Sequence, residues 1–249
     1  MAYNGEGTHR YETRGGPLIR EPLTYGGWIG GTTDTRKNLN FMLEGSYFRD
    51  TALNASINAT FRTRWNQSSA INHTVTLHFN DRQDDTQYLD TVNLTSSPGG
   101  IGIGGLSYVF GDIHQQTVDL TLRSNILFTR TQSIEIYAQP YLSVGDYDRV
   151  RELIRPDSYD LYTFSEPGYE AQNFDFSYAA VNINAVYRWE YRPGSTLYLV
   201  WTQGRAQEDT RAAHSSNPSS FSNNIGSGML FRNEPENTIL AKITYWIAI

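Results

Sequence analysis

The chain has 249 residues, no Cys and a formal net charge of -6. Disulfides, thiol catalysis and thiolate metal sites are therefore excluded, and the acidic balance argues against nucleic acid as the main partner. The length fits one large β domain, and no apolar run approaches the ~20 residues that a membrane helix needs.

A mean hydropathy of -0.51 leaves a membrane barrel open, because half of each barrel strand faces a polar interior. The opening stretch, MAYNGEGTHRYETRGG, lacks the basic head and apolar core of a secretory signal. A protein bound for an outer membrane needs such a signal. The expectation is that it has been removed, or that the chain is the C-terminal part of something longer.

Residues 1–22 are polar and carry Gly15-Gly16-Pro17, and they are read as an extension or loop leading into the first strand. Residues 24–33 read as a strand that is rich in Gly. After a turn at 34–37 the alternation is clear: Leu39, Phe41, Leu43, Gly45 and Tyr47 oppose Asn38, Asn40, Met42, Glu44 and Ser46. Leu53, Ala55, Ile57, Ala59 and Phe61 then oppose Asn54, Ser56, Asn58, Thr60, Arg62 and Arg64. Successive side chains on a strand point to opposite faces, so each run is a strand with one apolar and one wet face.

In the middle, residues 74–79 form a strand, 81–85 a turn and 87–94 a return strand. A glycine-rich stretch at 96–105 leads to a strand at 106–110 that ends at Gly111-Asp112. The pattern then strengthens. Val118, Leu120, Leu122, Ile126 and Phe128 oppose Thr117, Asp119, Thr121, Arg123 and Asn125. Ile134, Ile136, Ala138, Leu142 and Val144 oppose Ser133, Glu135, Tyr137, Gln139, Tyr141 and Ser143. Pro140 within this strand implies a bulge or a missing ladder bond.

Residues 174–205 hold the longest alternation. Ala179, Val181, Ile183, Ala185, Tyr187, Trp189 and Tyr191 lie on one parity. Asn182, Asn184, Arg188 and Glu190 lie on the other, with Val186 the apolar exception. Arg192-Pro193-Gly194-Ser195 is a tight turn, and 196–203 returns. The last strand puts Ile239, Ala241, Ile243, Tyr245, Ile247 and Ile249 opposite Lys242, Thr244 and Trp246.

Connections at 34–37, 129–132 and 191–195 are short and fall on one side. The long charged or Ser/Asn-rich stretches at 147–173 and 206–236 fall on the other, which is the layout of outer-membrane barrels. The expected fold is an all-β, antiparallel, up-and-down transmembrane β-barrel. Eleven to twelve strands are visible within residues 23–249, and the barrel is either complete or the C-terminal part of a larger one. Its last strand should close against its first, since a barrel leaves no edge free.

Several segments also carry a resemblance: SYVFGDIHQQTVDLTLRSNILFT, IEIYAQPYLSVGDY, AVYRWEYRPGSTLYLVWTQGR and ILAKITYW, with TRGGPLI at 13–19 and TDTRK at 33–37. From about Thr13 onward the chain resembles the C-terminal barrel region of an uncharacterised bacterial family. Longer members of that family carry an N-terminal family-nine-like carbohydrate-binding domain, which this sequence lacks. The resemblance implies an outer-membrane barrel and supplies no catalytic residue.

Glu44, Arg62, Arg64, Asp119, Arg123, Glu135, Arg188, Glu190 and Lys242 are the candidate lumen-facing polar residues. They form either an interior neutralised by cross-strand pairs or a selectivity zone for a polar solute. Tyr187, Trp189, Tyr191 and Tyr245 are the candidate interfacial aromatics, with sugar stacking as the other use of such residues. The histidines have no helical metal spacing, so no metal or cofactor is expected. The expected partners are outer-membrane lipid, strands from another chain or from upstream, and an oligosaccharide.

Passage of a polar solute or an assembly scaffold is the leading function. A soluble β-sandwich carbohydrate-binding module is the alternative. A barrel-rim hydrolase, using His114 beside Asp112 or His214 beside Ser215 and Ser216, is the third; a catalytic triad is defined by geometry and not by adjacency, and no catalytic residue is assigned.

Overall fold

The alternating runs become one antiparallel ladder in the computed structural model, which describes residues 2–4, 7–9, 11–93, 102–210 and 228–247. The strands are β1 (Ala2–Asn4), β2 (Gly7–His9), β3 (Ile19–Glu21), β4 (Thr24–Thr32), β5 (Leu39–Asp50), β6 (Ala55–Asn66) and β7 (Ile71–Asn93). They continue with β8 (Leu106–Leu127), β9 (Gln132–Leu153), β10 (Leu161–Thr163), β11 (Phe176–Arg192), β12 (Ser195–Thr210) and β13 (Glu236–Thr244). One short helix, α1 (Met229–Arg232), precedes β13. The sheet runs β1-β4-β5-β6-β7-β8-β9-β11-β12-β13, with β10 beside β9, and β2 and β3 make a separate two-stranded ribbon.

Every major neighbour pair is antiparallel, so the connections alternate between two ends. Residues 33–38, 67–70, 128–131 and 193–194 lie at one end. The connections after β5, β7, β9 and β12 leave from the other. The Pro193-Gly194 turn is as tight as its composition requires: Gly194 has φ 77°, which glycine adopts without a Cβ penalty.

The all-β antiparallel architecture stands, while the strand count and the closure do not. Segments 74–79 and 87–94, read as two strands around a turn at 81–85, are one strand of 23 residues, β7. Segments 106–110 and 117–128 are likewise one strand of 22 residues, β8. Nine long strands, β4–β9 and β11–β13, therefore replace the eleven expected. β9 also runs on to Leu153 into the expected 147–173 loop, and β12 runs to Thr210.

The physical reason is that ladder hydrogen bonds do not require apolar side chains. Past Phe79 the parity that carried Val75 and Leu77 carries Asp81, Gln83 and Asp85, and the hydropathic alternation stops. The pairing continues, with register shifts at Asp84/Gln87, Tyr88/Asp90 and Asp112/Ile113. Such bulges add twist without ending the ladder. Pro140 behaves as its chemistry requires: the β8–β9 ladder passes from Asp119–Tyr141 to Leu122–Ala138 without the pairs between.

No closed barrel is present among the described residues. β13 pairs with β12 alone, and all nine of its residues are exposed. β4 pairs on its outer side with β1 only at Thr24–Gly26. The expected seam between last and first strands is absent. The ladder also stops at Thr244, so Tyr245 and Ile247 lie beyond the strand, and Ile249 falls outside the described residues.

The buried core sits at the long-loop end. Val109, Val150 and Phe164 pack with Leu89, Val92 and Phe174, and Phe110 and Leu153 pack with Ile19 from the N-terminal segment. Leu142, Val144 and Ala179 are covered by Met229 of α1. Residues 11–22, expected as a loop, are thus a packed part of this cap. They are tied to the 154–160 region by Asp157 N–H donating to Leu18 O at 2.8 Å and Arg20 N–H donating to Ser158 O at 3.0 Å.

The glycines of β4 mark a close approach. A Cβ at Gly26 would lie 2.2 Å from Tyr47 O and 2.7 Å from Phe48 Cα, both backbone atoms, whereas at Gly31 it would meet nothing within 4 Å. Gly26→Ala should therefore lower stability by about 1–3 kcal/mol and Gly31→Ala should change it little. The difference would be read as the shift between their urea midpoints.

Candidate functional site

The register assigns every candidate residue to a face. Cross-strand partners share a face, and the pairs run Leu43–Phe61–Leu77–Leu120 across β5 to β8. Ile136–Ala185–Trp201–Ile239 continues the same face across β9 to β13. This face is apolar over all nine long strands and lies open except where α1 covers Leu142, Val144 and Ala179: Ile29 is 80%, Leu43 62%, Ile239 79% and Ile243 69% exposed. A folded chain rarely leaves so wide an apolar surface uncovered without a partner for it.

The opposite face carries all nine charged candidates. Asn40–Arg64–Thr74–Arg123–Tyr137–Asn184 is one row and Met42–Arg62–Thr76–Thr121 the next. Glu44 stands opposite Thr60, Asp119 opposite His78 and Tyr141, and Glu135 opposite Asn125 and Val186. Arg188 and Lys242 stand opposite Tyr198, and Glu190 opposite Thr196.

Short polar side chains bond across the strands of this face. Asn80 Nδ2 donates to Asn58 Oδ1 at 2.8 Å, and Asn125 Nδ2 donates to Asn72 Oδ1 at 3.1 Å. Thr117 and Ser143 hydroxyls lie 3.0 Å apart. Arg188 pairs with Glu190 on its own strand at 3.1 Å, and Asp119 pairs with His78 across strands at 3.2 Å. Among the described residues, Arg62, Arg64 and Arg123 have no carboxylate partner. Val186, the apolar exception in the sequence, lies in a row with Val200 and Leu240, an apolar stripe across β11 to β13.

Of the aromatic candidates, Tyr187 and Trp189 lie on the apolar face, opposite Leu199 and Leu197. Trp189 meets Tyr191 edge-on at 6.0 Å. Tyr191 donates its hydroxyl to Thr244 O at 3.0 Å, and Arg192 lies 5.4 Å over the Tyr245 ring. The four thus gather at the short-turn end of β11 and β13.

The histidines are separated. His73 on the apolar face meets Ser124 Oγ at 2.8 Å, and His78 takes Asp119. His114 meets Asp81 across the β7–β8 ladder at 3.0 Å and not the Asp112 two residues away. His214 lies outside the described residues. Among those residues, no three His, Asp or Glu side chains converge as metal ligands would.

A second polar constellation, at the long-loop end, escaped the sequence. Arg151 reaches Asp85 Oδ2 at 2.9 Å and donates its Nε–H to Asp112 Oδ1 at 2.7 Å. Arg149 lies 2.6 Å from Asp112 Oδ2. Asn54 Nδ2 donates to Asp85 Oδ1 at 2.7 Å and to Asp50 Oδ2 at 2.9 Å, and the Tyr159 hydroxyl donates to Asp85.

Burial pushes the Asp112 carboxyl up, against the pull of Arg151 and Arg149. Burial, followed by the hydrogen bond to Asp85, raises Tyr159. An adjoining cleft of ≈ 340 Å³ is lined by Arg20, Arg49, Asp50, Arg82, Asp84 and Tyr159, among others. Its charges are of both signs, and Arg82 is already paired with Asp84. The network ties the 51–54 turn and β7, β8 and β9 to residues 154–160, so its first role is to hold the cap together. The one trace of it in the sequence is the loss of alternation at Asp81–Asp85.

The profile of a family described as Domain of unknown function (DUF5916) matches residues 2–249. The chain belongs to the DUF5916 family. No curated protein matches it, and no solved structure matches it. Membership accounts for the whole sheet as one unit, because the match spans both the apolar-faced strands and the cap of this DUF5916 chain.

Tyr147 offers a probe of the cap. Its ring covers Gly111, where a Cβ would lie 2.5 Å from Tyr147 Cδ1. Burial pushes its phenol up to about 12, with Arg82 opposing and Asp175 reinforcing the shift. The folded chain then keeps the proton that the unfolded chain loses above its ordinary value of 10.0. This stability is full below pH 10 and is lost as pH rises through about 12. Tyr147→Phe should flatten that alkaline loss, measured as denaturation midpoints between about pH 9 and about pH 12.

Proposed function

We propose that this chain forms wall strands of a transmembrane β-barrel in a bacterial outer membrane, with the polar face lining a water-filled interior through which a polar solute passes. The observation that carries this reading is the apolar face. It continues across nine strands and is open to its surroundings over most of its width, with no second sheet laid over it among the described residues and with α1 covering it at Leu142, Val144 and Ala179. A soluble sandwich would bury that face under a second sheet. Among the described residues, the other sheet is the two-stranded β2–β3 ribbon at the capped end.

The dimensions agree with a bilayer. The apolar positions run from Ile71 to Phe79 on β7, Val118 to Ile126 on β8 and Ile134 to Leu142 on β9. At ~3.4 Å per residue and a tilt of ~40° this is a band of roughly 20 Å, close to the ~25 Å of known barrels. Beyond it the same face turns polar at Asp81, Gln116 and Asp146. The aromatics at the short-turn end lie where a membrane interface would hold them, and the resemblance to an outer-membrane barrel region agrees.

The two open edges complete the reading. Lipid supplies no hydrogen bonds to strand β13 or to the outer side of β4, so both edges are taken up by further strands outside the described sheet. Replacing Ile183, Leu122 or Ile136 with Arg should impair insertion into lipid vesicles by about 2–4 kcal/mol, against little for Arg at Asn184. Equal tolerance at both parities, measured by vesicle flotation and folded-band shift on gels, would remove the membrane reading.

A further inference from the structure

We infer that Arg62, Arg64 and Arg123 form a binding site for a phosphate or sulfate group on the polar face of the sheet. This rests on the barrel reading only for how the anion arrives, and it names the class of solute. The three arginines, with Thr74, Thr76 and Thr121, are the whole lining of a depression of ≈ 400 Å³. No carboxylate contributes to it.

The register fixes the geometry. Arg64 and Arg123 flank Thr74 in one row, so their Cα atoms are separated by two strand spacings, roughly 10 Å. Arg62 is two residues from Arg64 on β6, roughly 7 Å along the strand, and its row supplies Thr76 and Thr121. Side chains of this length converge on one small ion from those positions.

Their bonding is unfinished. Arg62 Nε–H donates to Thr76 Oγ1 at 3.3 Å, and Arg123 lies 5.2 Å over the Tyr137 ring, which orients its guanidinium without neutralising it. Among the described residues, no ion pair involves any of the three. The carboxylates nearest in register are otherwise placed: Asp119 holds His78, and Glu44 and Glu135 stand opposite Thr60 and Asn125.

Three adjacent cations repel one another, and in a chain of net charge -6 they are grouped where acids are absent. Contrast Arg151, which two aspartates neutralise. A planar fork of N–H groups matches the oxygens of a tetrahedral oxyanion in pairs, and three threonine hydroxyls add donors at shorter reach. A halide could use the charge but not that directional set, so selection for oxyanions over chloride follows.

The test uses the full chain folded in a neutral detergent, titrated calorimetrically with sodium phosphate and sodium sulfate against sodium chloride at equal ionic strength. Phosphate should bind at one site and chloride should not compete at equal concentration. Arg64→Gln with Arg123→Gln should weaken phosphate binding at least tenfold, and Arg62→Lys, which keeps the charge but loses the fork, should weaken it by a smaller factor. Arg188→Gln, whose side chain meets Tyr198 and Glu190 and none of the three arginines, should leave it unchanged. Far-UV circular dichroism identifies any variant that fails to fold, and Arg62→Lys then carries the comparison.

Competition by glycerol phosphate would show that the group can be carried on a larger solute. Its failure would restrict the site to the free ion. Phosphate binding that equals chloride binding, or that survives the double substitution, overturns the site. Vesicle insertion is measured separately: a chain that inserts but does not bind loses this inference alone, and one that binds but does not insert loses the membrane reading alone.

Discussion

One backbone ladder has to serve two different surroundings, and the rest of the structure depends on that constraint. Side chains alternate strictly along a strand, so the register between neighbours decides which residues share a face, and a slip of one residue would exchange the faces. Rows such as Leu43–Phe61–Leu77–Leu120 exist only because β5 to β8 keep one register through the apolar band. The same register produces the rows Arg64–Thr74–Arg123 and Asn58–Asn80–Thr117 on the other side. Neither face could be arranged without the other.

At the long-loop end the constraint is relaxed. β7, β8 and β9 extend beyond the apolar band, and there both faces are covered by residues 11–22, residues 154–175 and α1. Apolar contact now comes from Phe110 with Ile19 and Leu153, and from Val109 with Phe164. Bulges at Asp84/Gln87 and Asp112/Ile113 accommodate the change. The Arg151–Asp85–Asp112 cluster holds the cap to the strands, and breaking such a buried pair on one side leaves a charge without compensation. This end behaves as a small globular core attached to a two-faced sheet.

Charge is used in opposite ways in the two regions. In the cap, three cations meet carboxylates: Arg151 meets Asp85 and Asp112, Arg149 meets Asp112, and Arg82 meets Asp84. On the polar face, Arg62 meets a threonine hydroxyl and Arg123 an aromatic ring. Paired charges fix structure, while unpaired ones leave a field directed outward from the sheet, which is what a solute can experience.

The sequence by itself determined the class and the faces. Strict alternation in β5, β6, β11, β13 and the short-turn halves of β8 and β9 placed Glu44, Arg62, Asp119, Arg188 and Lys242 together, and Tyr187 and Trp189 opposite them, because side-chain direction on a strand depends only on parity. It also located the Pro193-Gly194 turn, since Pro and Gly act locally. What it could not give was the length of β7, β8 and β9, where the ladder outruns the hydropathic pattern, or the cap network, whose members Asn54, Asp85, Arg151 and Tyr159 are far apart in the chain. The grouping of Arg62 and Arg64 with Arg123 likewise needed the β6–β7–β8 register. Whether the sheet's edges meet was also left to the tertiary structure, in which β13 and β4 stand apart, because closure depends on curvature and strand number and no single strand encodes either.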